Sequence, residues 1–262
     1  MRLSHSHQAL VADLTAMERL ARRRDALGLF GGAAALLLGP GAAMAATCAP
    51  TPRETMGPFP GNGRNRAPGP TNNVLTAQGA IRSDIRASFI GSERRAPGVP
   101  IRLSVTLVGG RACSALAGRA IYLWQNDAAG LYSLYTVPQE SYLRGVQATD
   151  DNGVARFTSI VPGCYGGRSP HMHFEVYASL EAAARGERAL LSSQFLIPDN
   201  VCNAVYADRA TYAQSMENLR NHPIERDFIF RDNSAADLAA MTLDATGAAP
   251  RGYDARVTVA LA

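Results

Sequence analysis

Short runs of alternating apolar and polar residues, cut at brief intervals by Gly, Pro, Asn and Asp, set the strongest limit on what this chain can fold into. Ile101, Leu103, Val105 and Leu107 alternate with Arg102, Ser104 and Thr106, the period of a strand with one buried face. Gly109-Gly110 ends that run. Further strands are expected over 120–125, 154–160, 191–197, 227–230 and 255–261, with turns at 126–130 and 150–153. The second of these, Asp150-Asp151-Asn152-Gly153, has the chemistry of a hairpin turn. Helical patterning is sparse: a short stretch through 180–185 and a surface helix over 205–220. The expected fold is all-β, an antiparallel β-sandwich with long loops and one or two short helices, and the pattern shows neither an internal repeat nor a second core.

The chain divides into three parts. Residues 1–45 read as an export signal. Arg22-Arg23-Arg24 precedes a mildly apolar, Gly/Ala-rich run, and Ala43-Met44-Ala45 has the small-x-small form of a signal-peptidase site. The arginines suggest the twin-arginine route, with a periplasmic or extracellular destination; the apolar run is too short and interrupted for a membrane anchor, so no membrane association is expected after processing. Residues 46–98 are rich in Pro, Gly, Asn and Arg and read as an extended arm lying on the domain formed by 99–262. The net charge of +4 is small for 262 residues, and the arginines are scattered, which argues against a nucleic-acid surface. Four cysteines, Cys48, Cys113, Cys164 and Cys202, lie beyond the cleavage site, and in an exported protein they permit disulfides in any of three pairings. Their spacing lacks the CxxC of a structural zinc site.

The chemistry concentrates at 162–174. His171 and His173 are two of the five histidines, and the alternation through Phe174-Glu175-Val176-Tyr177 reads as a strand. Residues two apart on a strand share a face, so both imidazoles are presented to one place, as a metal requires. Pro162, Gly163, Gly166, Gly167 and Pro170 shape the preceding segment as a loop carrying Tyr165 and Arg168 beside them. Such a pair also occurs on ordinary strands, so the rest of the chain has to decide.

The decision comes from motifs in a fixed order: Thr51-Pro52 with Gly57-Pro58, the stretch from Gly118 to Tyr135, Leu143-Arg144-Gly145, Pro162-Gly163-x-Tyr165, and Arg168-x-Pro170-His171-x-His173. In these the chain resembles the intradiol ring-cleavage dioxygenases over about 51–230. The resemblance implies a mononuclear non-haem Fe(III) held by Tyr132, Tyr165, His171 and His173, with a catechol-type substrate and dioxygen as partners. It implies that Arg168 lies beside the bound ring, that Tyr165 can take a substrate proton, and that Gln194 orients Arg168. Trp124 is expected in the core. The chain departs from the family where Trp124-Gln125-Asn126-Asp127 replaces a Trp-His-Cys-Asp of exported members, and in Gly57-Pro58-Phe59-Pro60 of the arm. Cys164 is unusual beside Tyr165, and a disulfide to Cys202 would hold that loop. Oligomeric state is left open.

Three other readings compete with this one. An exported sandwich that binds an aromatic or a polymer without turnover would be favoured by a missing ligand, and none is missing. A cupin site wants a glutamate four or five residues past the second histidine, where Tyr177 and Ala178 stand. A zinc hydrolase needs a further ligand, for which His222 is available but not placed by the sequence.

Overall fold

The computed structural model describes residues 48–110 and 112–262. The export signal expected over 1–45 therefore lies outside the described residues. Among the described residues nine strands form two sheets: β1 (Pro100–Gly109), β2 (Ser114–Ala115), β3 (Ala120–Trp124), β4 (Arg144–Ala148), β5 (Val154–Ile160), β6 (His171–Tyr177), β7 (Leu191–Leu196), β8 (Asp244–Ala248) and β9 (Gly252–Leu261). The first sheet runs β2-β1-β9-β8, with β5 sharing the β2 edge of β1; the second runs β4-β3-β6-β7.

Five expectations about this frame are corrected. The sheets are not wholly antiparallel, because β1 and β9 pair in parallel from Ile101–Tyr253 to Gly109–Leu261. The two strands come from opposite ends of the domain, and local patterning carries no information on their relative direction. The turn at 150–153 closes as expected, with Gly153 N–H donating to the Asp150 carbonyl at 2.8 Å. It makes no hairpin, however: β4 and β5 belong to different sheets, so the turn is the corner between them. Helices are also more numerous than expected, at four among the described residues: α1 (Leu180–Ala184), α2 (Asp199–Val205), α3 (Ser215–Asn221) and α4 (Ala235–Met241). The helix expected over 205–220 forms only at its ends, in the last residue of α2 and the first six of α3, while 206–214 turns, with Asp208 accepting from Ala210 and Thr211 N–H. No strand forms at 227–230.

The inner faces of the sheets meet in the main core. Ile101, Leu103, Val105 and Leu107 of β1 and Phe157 of β5 pack with Ile121 and Leu123 of β3, Met172, Phe174 and Val176 of β6, and Phe195 of β7. Strand alternation puts Tyr122, Trp124, His171, His173, Glu175 and Tyr177 on the opposite face of the second sheet. That face is buried as well, since every residue of β3 and β6 is buried. Phe59, Ala67, Val74 and Leu75 of the segment before β1 pack there with Tyr122, Trp124, Tyr132 and Tyr165 as a third layer. The start of the layer is pinned to both sheets: Thr51 exchanges hydrogen bonds with Ala260 of β9, and Glu54 N–H donates to the Ser192 carbonyl of β7. The sandwich thus places its polar chemistry in a buried layer between a sheet and a strap.

Among the described residues no helix is long and apolar enough to cross a membrane. Cys48 and Cys113 form a disulfide. Cys164 and Cys202 are free and buried, which corrects the expected bridge between them.

Candidate metal centre

One row across the second sheet builds the base of the site. Trp124 of β3 pairs with His173 of β6, and His173 with Gln194 of β7. The Trp124 indole lies parallel to the His173 imidazole, 5.1 Å between centroids and 6° apart, so Trp124 is core as expected and is also a wall of the site. His171 sits two residues up the same face. Its Nδ1 is 2.7 Å from the Ser169 carbonyl oxygen, which only accepts. Nδ1 therefore carries the proton and Nε2 is bare, directed away from the backbone.

Two loops bring the tyrosines over this row. Asp127 Oδ1 accepts from Ala129 and Leu131 N–H, both at 2.9 Å, which folds the 126–131 turn and delivers Tyr132. Within it Gly130 has φ +82°, and a Cβ there would lie 3.1 Å from the Tyr165 Cβ, so the two tyrosine loops touch where only glycine fits. The Tyr165 loop is held from α3, with Ser215 Oγ accepting from Cys164 N–H and Asn218 Nδ2 donating to the Cys164 carbonyl.

The four expected ligand side chains converge. Tyr132 Oη is 3.4 Å from Tyr165 Oη, Tyr165 Oη is 3.2 Å from His171 Nε2, and His171 Nε2 is 3.1 Å from His173 Nε2. Such edges are what donors roughly 2 Å from one shared centre would span. Burial, and then the Arg168 charge, hold both imidazoles well below the ordinary histidine range, so they are neutral donors. Burial also raises both phenols. A cation at their meeting point is the counter-charge that would ionise them. The residues present therefore fit a hard, oxygen-seeking metal ion with nitrogen co-ligands.

Arg168 borders the cluster. Its Nη1 is 3.4 Å from His171 Nε2, and its Nη2 donates to Gln194 Oε1 at 2.6 Å. Gln194 Nε2 in turn donates to the Thr55 carbonyl, tying Arg168 to the strap. Asp227, not singled out in the sequence, accepts from Arg168 Nε with both oxygens. Nothing local could have shown it, because it stands 59 residues from Arg168.

The competing candidates fall elsewhere. Glu175 is bound by Asn62, Tyr177 and Ser192. His222 lines a separate cavity of about 610 Å³ with Arg220 and Glu225. Tyr122 donates to the Pro60 carbonyl, Tyr135 to Asn65, and Tyr142 to Asp127. Among the described residues no three His, Cys, Asp or Glu side chains are grouped so as to hold a metal ion, so a two-histidine, one-carboxylate site is not formed there.

A family model described as Dioxygenase matches residues 74–188, a span that holds Tyr132, Tyr165, His171, His173 and Arg168 but neither Gln194 nor Asp227. Residues 74–188 thus carry a dioxygenase domain, and in fold the chain is similar to the intradiol ring-cleavage dioxygenases. Solved structures share its fold. An intradiol ring-cleavage dioxygenase from Tetranychus urticae is 20% identical, with a TM-score of 0.59 over 82% of this chain and 95% of that one. The dioxygenase domain of a dioxygenase carbohydrate-binding protein fusion from Streptomyces sp. SirexAA-E is 24% identical, with a TM-score of 0.50 over 81% and 98%. Catechol 1,2-dioxygenase from Pseudomonas arvilla C-1 is 20% identical, with a TM-score of 0.52 over 97% and 71%. A search of curated protein sequences returns no match.

Proposed function

We propose that the chain holds one non-haem Fe(III) on Tyr132, Tyr165, His171 and His173 and cleaves a catechol-type ring between its two hydroxylated carbons with dioxygen, giving a muconate-type diacid. The observation that carries this reading is the convergence of those four donor atoms at one buried point within the segment matched by the family model. Held by these four residues, ferric iron would supply a hard Lewis acid for the catechol oxygens. The remaining work belongs to the chain. Tyr165, at 8% exposure against 0% for Tyr132, is the phenol that solvent and substrate can reach, and its Oη is the atom to receive a substrate proton. Tyr132, His171 and His173 are the fixed ligands. Arg168 turns Nη1 toward the cluster, where its charge stabilises an electron-rich ring without moving. Gln194 keeps it there, and Phe59 and Trp124 keep water out.

Export of the mature chain from about residue 46, by the twin-arginine route, is part of the same proposal. The Cys48–Cys113 disulfide supports it, as structural disulfides persist in oxidising compartments. A mature N-terminus near Ala46, found by mass spectrometry in protein from the native host, is the expected result; an intact Met1 in the cytoplasm contradicts it.

Three measurements test the activity. Elemental analysis should find about one iron per chain, as one mononuclear site demands. The protein should be red from tyrosinate-to-iron charge transfer, and Tyr132→Phe or His173→Ala should lose colour and activity together. Product analysis with catechol, protocatechuate and hydroxyquinol should give a ring-opened diacid from at least one. A yellow semialdehyde would mean cleavage outside the diol, and stoichiometric zinc without a visible band would sink the reading. Iron and colour with no product would favour a binding module.

A further inference from the structure

The segment following the 3-10 turn Ile224–Arg226 is built as a clamp on Arg168. Asp227 is completely buried, and so is the arginine it meets. Its oxygens accept from Arg168 Nε at 3.1 and 3.0 Å, while Oδ2 also accepts from Ser169 N–H at 2.6 Å and Oδ1 from Ile229 N–H at 2.9 Å. The Phe228 and Phe230 rings of the same segment lie 5.5 and 5.4 Å from the guanidinium carbon. Gln194 takes Nη2. One edge of the guanidinium is left uncommitted by these contacts, and it is Nη1, the edge beside His171.

We propose that Asp227 is the positioning residue for Arg168: anchored to the backbone of both loops, it aims Nη1 at the Tyr132, Tyr165, His171 and His173 cluster and balances the arginine charge there. The inference rests on the proposed function, because the group Nη1 serves is the substrate ring. Stability alone is a poor reason for the arrangement. Taking two charges out of water is unfavourable enough that a well-packed apolar pair would serve the fold as well. Direction is what the pair adds. The carboxylate engages Nε and leaves both terminal nitrogens to Gln194 and the cluster, while its two backbone donors tie it to the Arg168 loop and to its own segment. Asp227 also explains why 227–230 is not a strand: its carboxylate accepts from Ile229 N–H, closing a local turn in place of a ladder.

The test compares wild type, Asp227→Asn, Arg168→Gln and the double variant, each iron-loaded, by iron content, kcat and KM per bound iron, and the visible band on anaerobic addition of catechol. Asp227→Asn is expected to keep its iron, to lose at least tenfold in kcat with a smaller change in KM, and to shift the catechol-bound band. Arg168→Gln should lose as much. Adding Asp227→Asn to Arg168→Gln should then change kcat less than twofold, because a residue that acts through Arg168 has nothing left to act on. If the single Asp227 variant does not fold because it buries an unpaired guanidinium, the double variant lacks that charge and still decides. A wild-type kcat in Asp227→Asn, or a further tenfold loss in the double variant, overturns the proposal. Wild-type protein without iron or band defeats the proposed function and this inference with it, whereas an active wild type with an indifferent Asp227 defeats only the inference.

Discussion

At Gly57 the backbone has φ +70°, and a Cβ built there would lie 3.1 Å from the His173 Cε1. The imidazole is already stacked on Trp124 and has little room to yield. Gly57→Ala combines left-handed strain of roughly 1–2 kcal/mol with that contact. For a chain of this size a Tm lower by several degrees follows, together with weaker iron retention in chelator challenge. Unchanged iron retention would show that the strap does not set the position of His173. Trp124 offers a second observation at this scale. It is the single tryptophan, and it lies against a proposed ligand. Its emission should be strongly quenched when coloured ferric iron is loaded into apoprotein, and less so with zinc; equal emission in all three states would put the metal elsewhere. The four proposed ligands were legible in the sequence because each sits in a local motif, two residues apart on a strand or at a fixed place in a glycine-marked turn. Asp227 was not, because its meaning depends on a contact between distant loops.

Among the elements, the strap before β1 carries most of the testable behaviour. Asp84 accepts from Arg86 and Arg95, and the hydrogen bond to Arg86 chiefly holds its carboxyl well below the usual range, with burial opposing. A depressed folded value gives stability that is complete above the unfolded value near 4 and is lost as pH falls through the lower folded one. Asp84 is partly exposed, so solvent screens the effect and the change is local and modest. Protection of the amides over 84–96, taken as the exchange rate relative to the intrinsic rate at each pH, should fall below about pH 4 and stay flat from 5 to 8; a loss of protection on the alkaline side would have the wrong sign. The disulfide fastens the start of the strap across a separation of 65 residues. Loop-closure entropy bounds its contribution at roughly 4 kcal/mol. Cys48→Ser with Cys113→Ser should unfold at lower denaturant, and the native wild type should show two thiols, both slow to react. Burial pushes the Cys164 thiol up to about 12, so four fast thiols, or none after unfolding, would contradict the pairing.

At the scale of the whole molecule, the alternation in β1 and the turn residues made a sandwich readable, since a period of two with frequent breaks has few other solutions. What stayed hidden were relations between distant segments. The corner at 150–153 has hairpin chemistry, and only the packing of two sheets decides that β4 and β5 part company there. The sequence of the strap suggested an arm, but not that its apolar residues close over the histidine face of β6. Parallel pairing of β1 with β9 was equally invisible, and it bears on how the protein is made. β1 emerges from the ribosome long before its partner, because 143 residues separate Gly109 from Gly252. At ordinary translation rates that is a wait of roughly ten to thirty seconds, during which the central strand of the first sheet has an unpaired edge. Neither that sheet nor the strap fastened to Ala260 can be complete until the last strand is released. A nascent chain stalled before Gly252 is thus the form most exposed to chaperones and proteases.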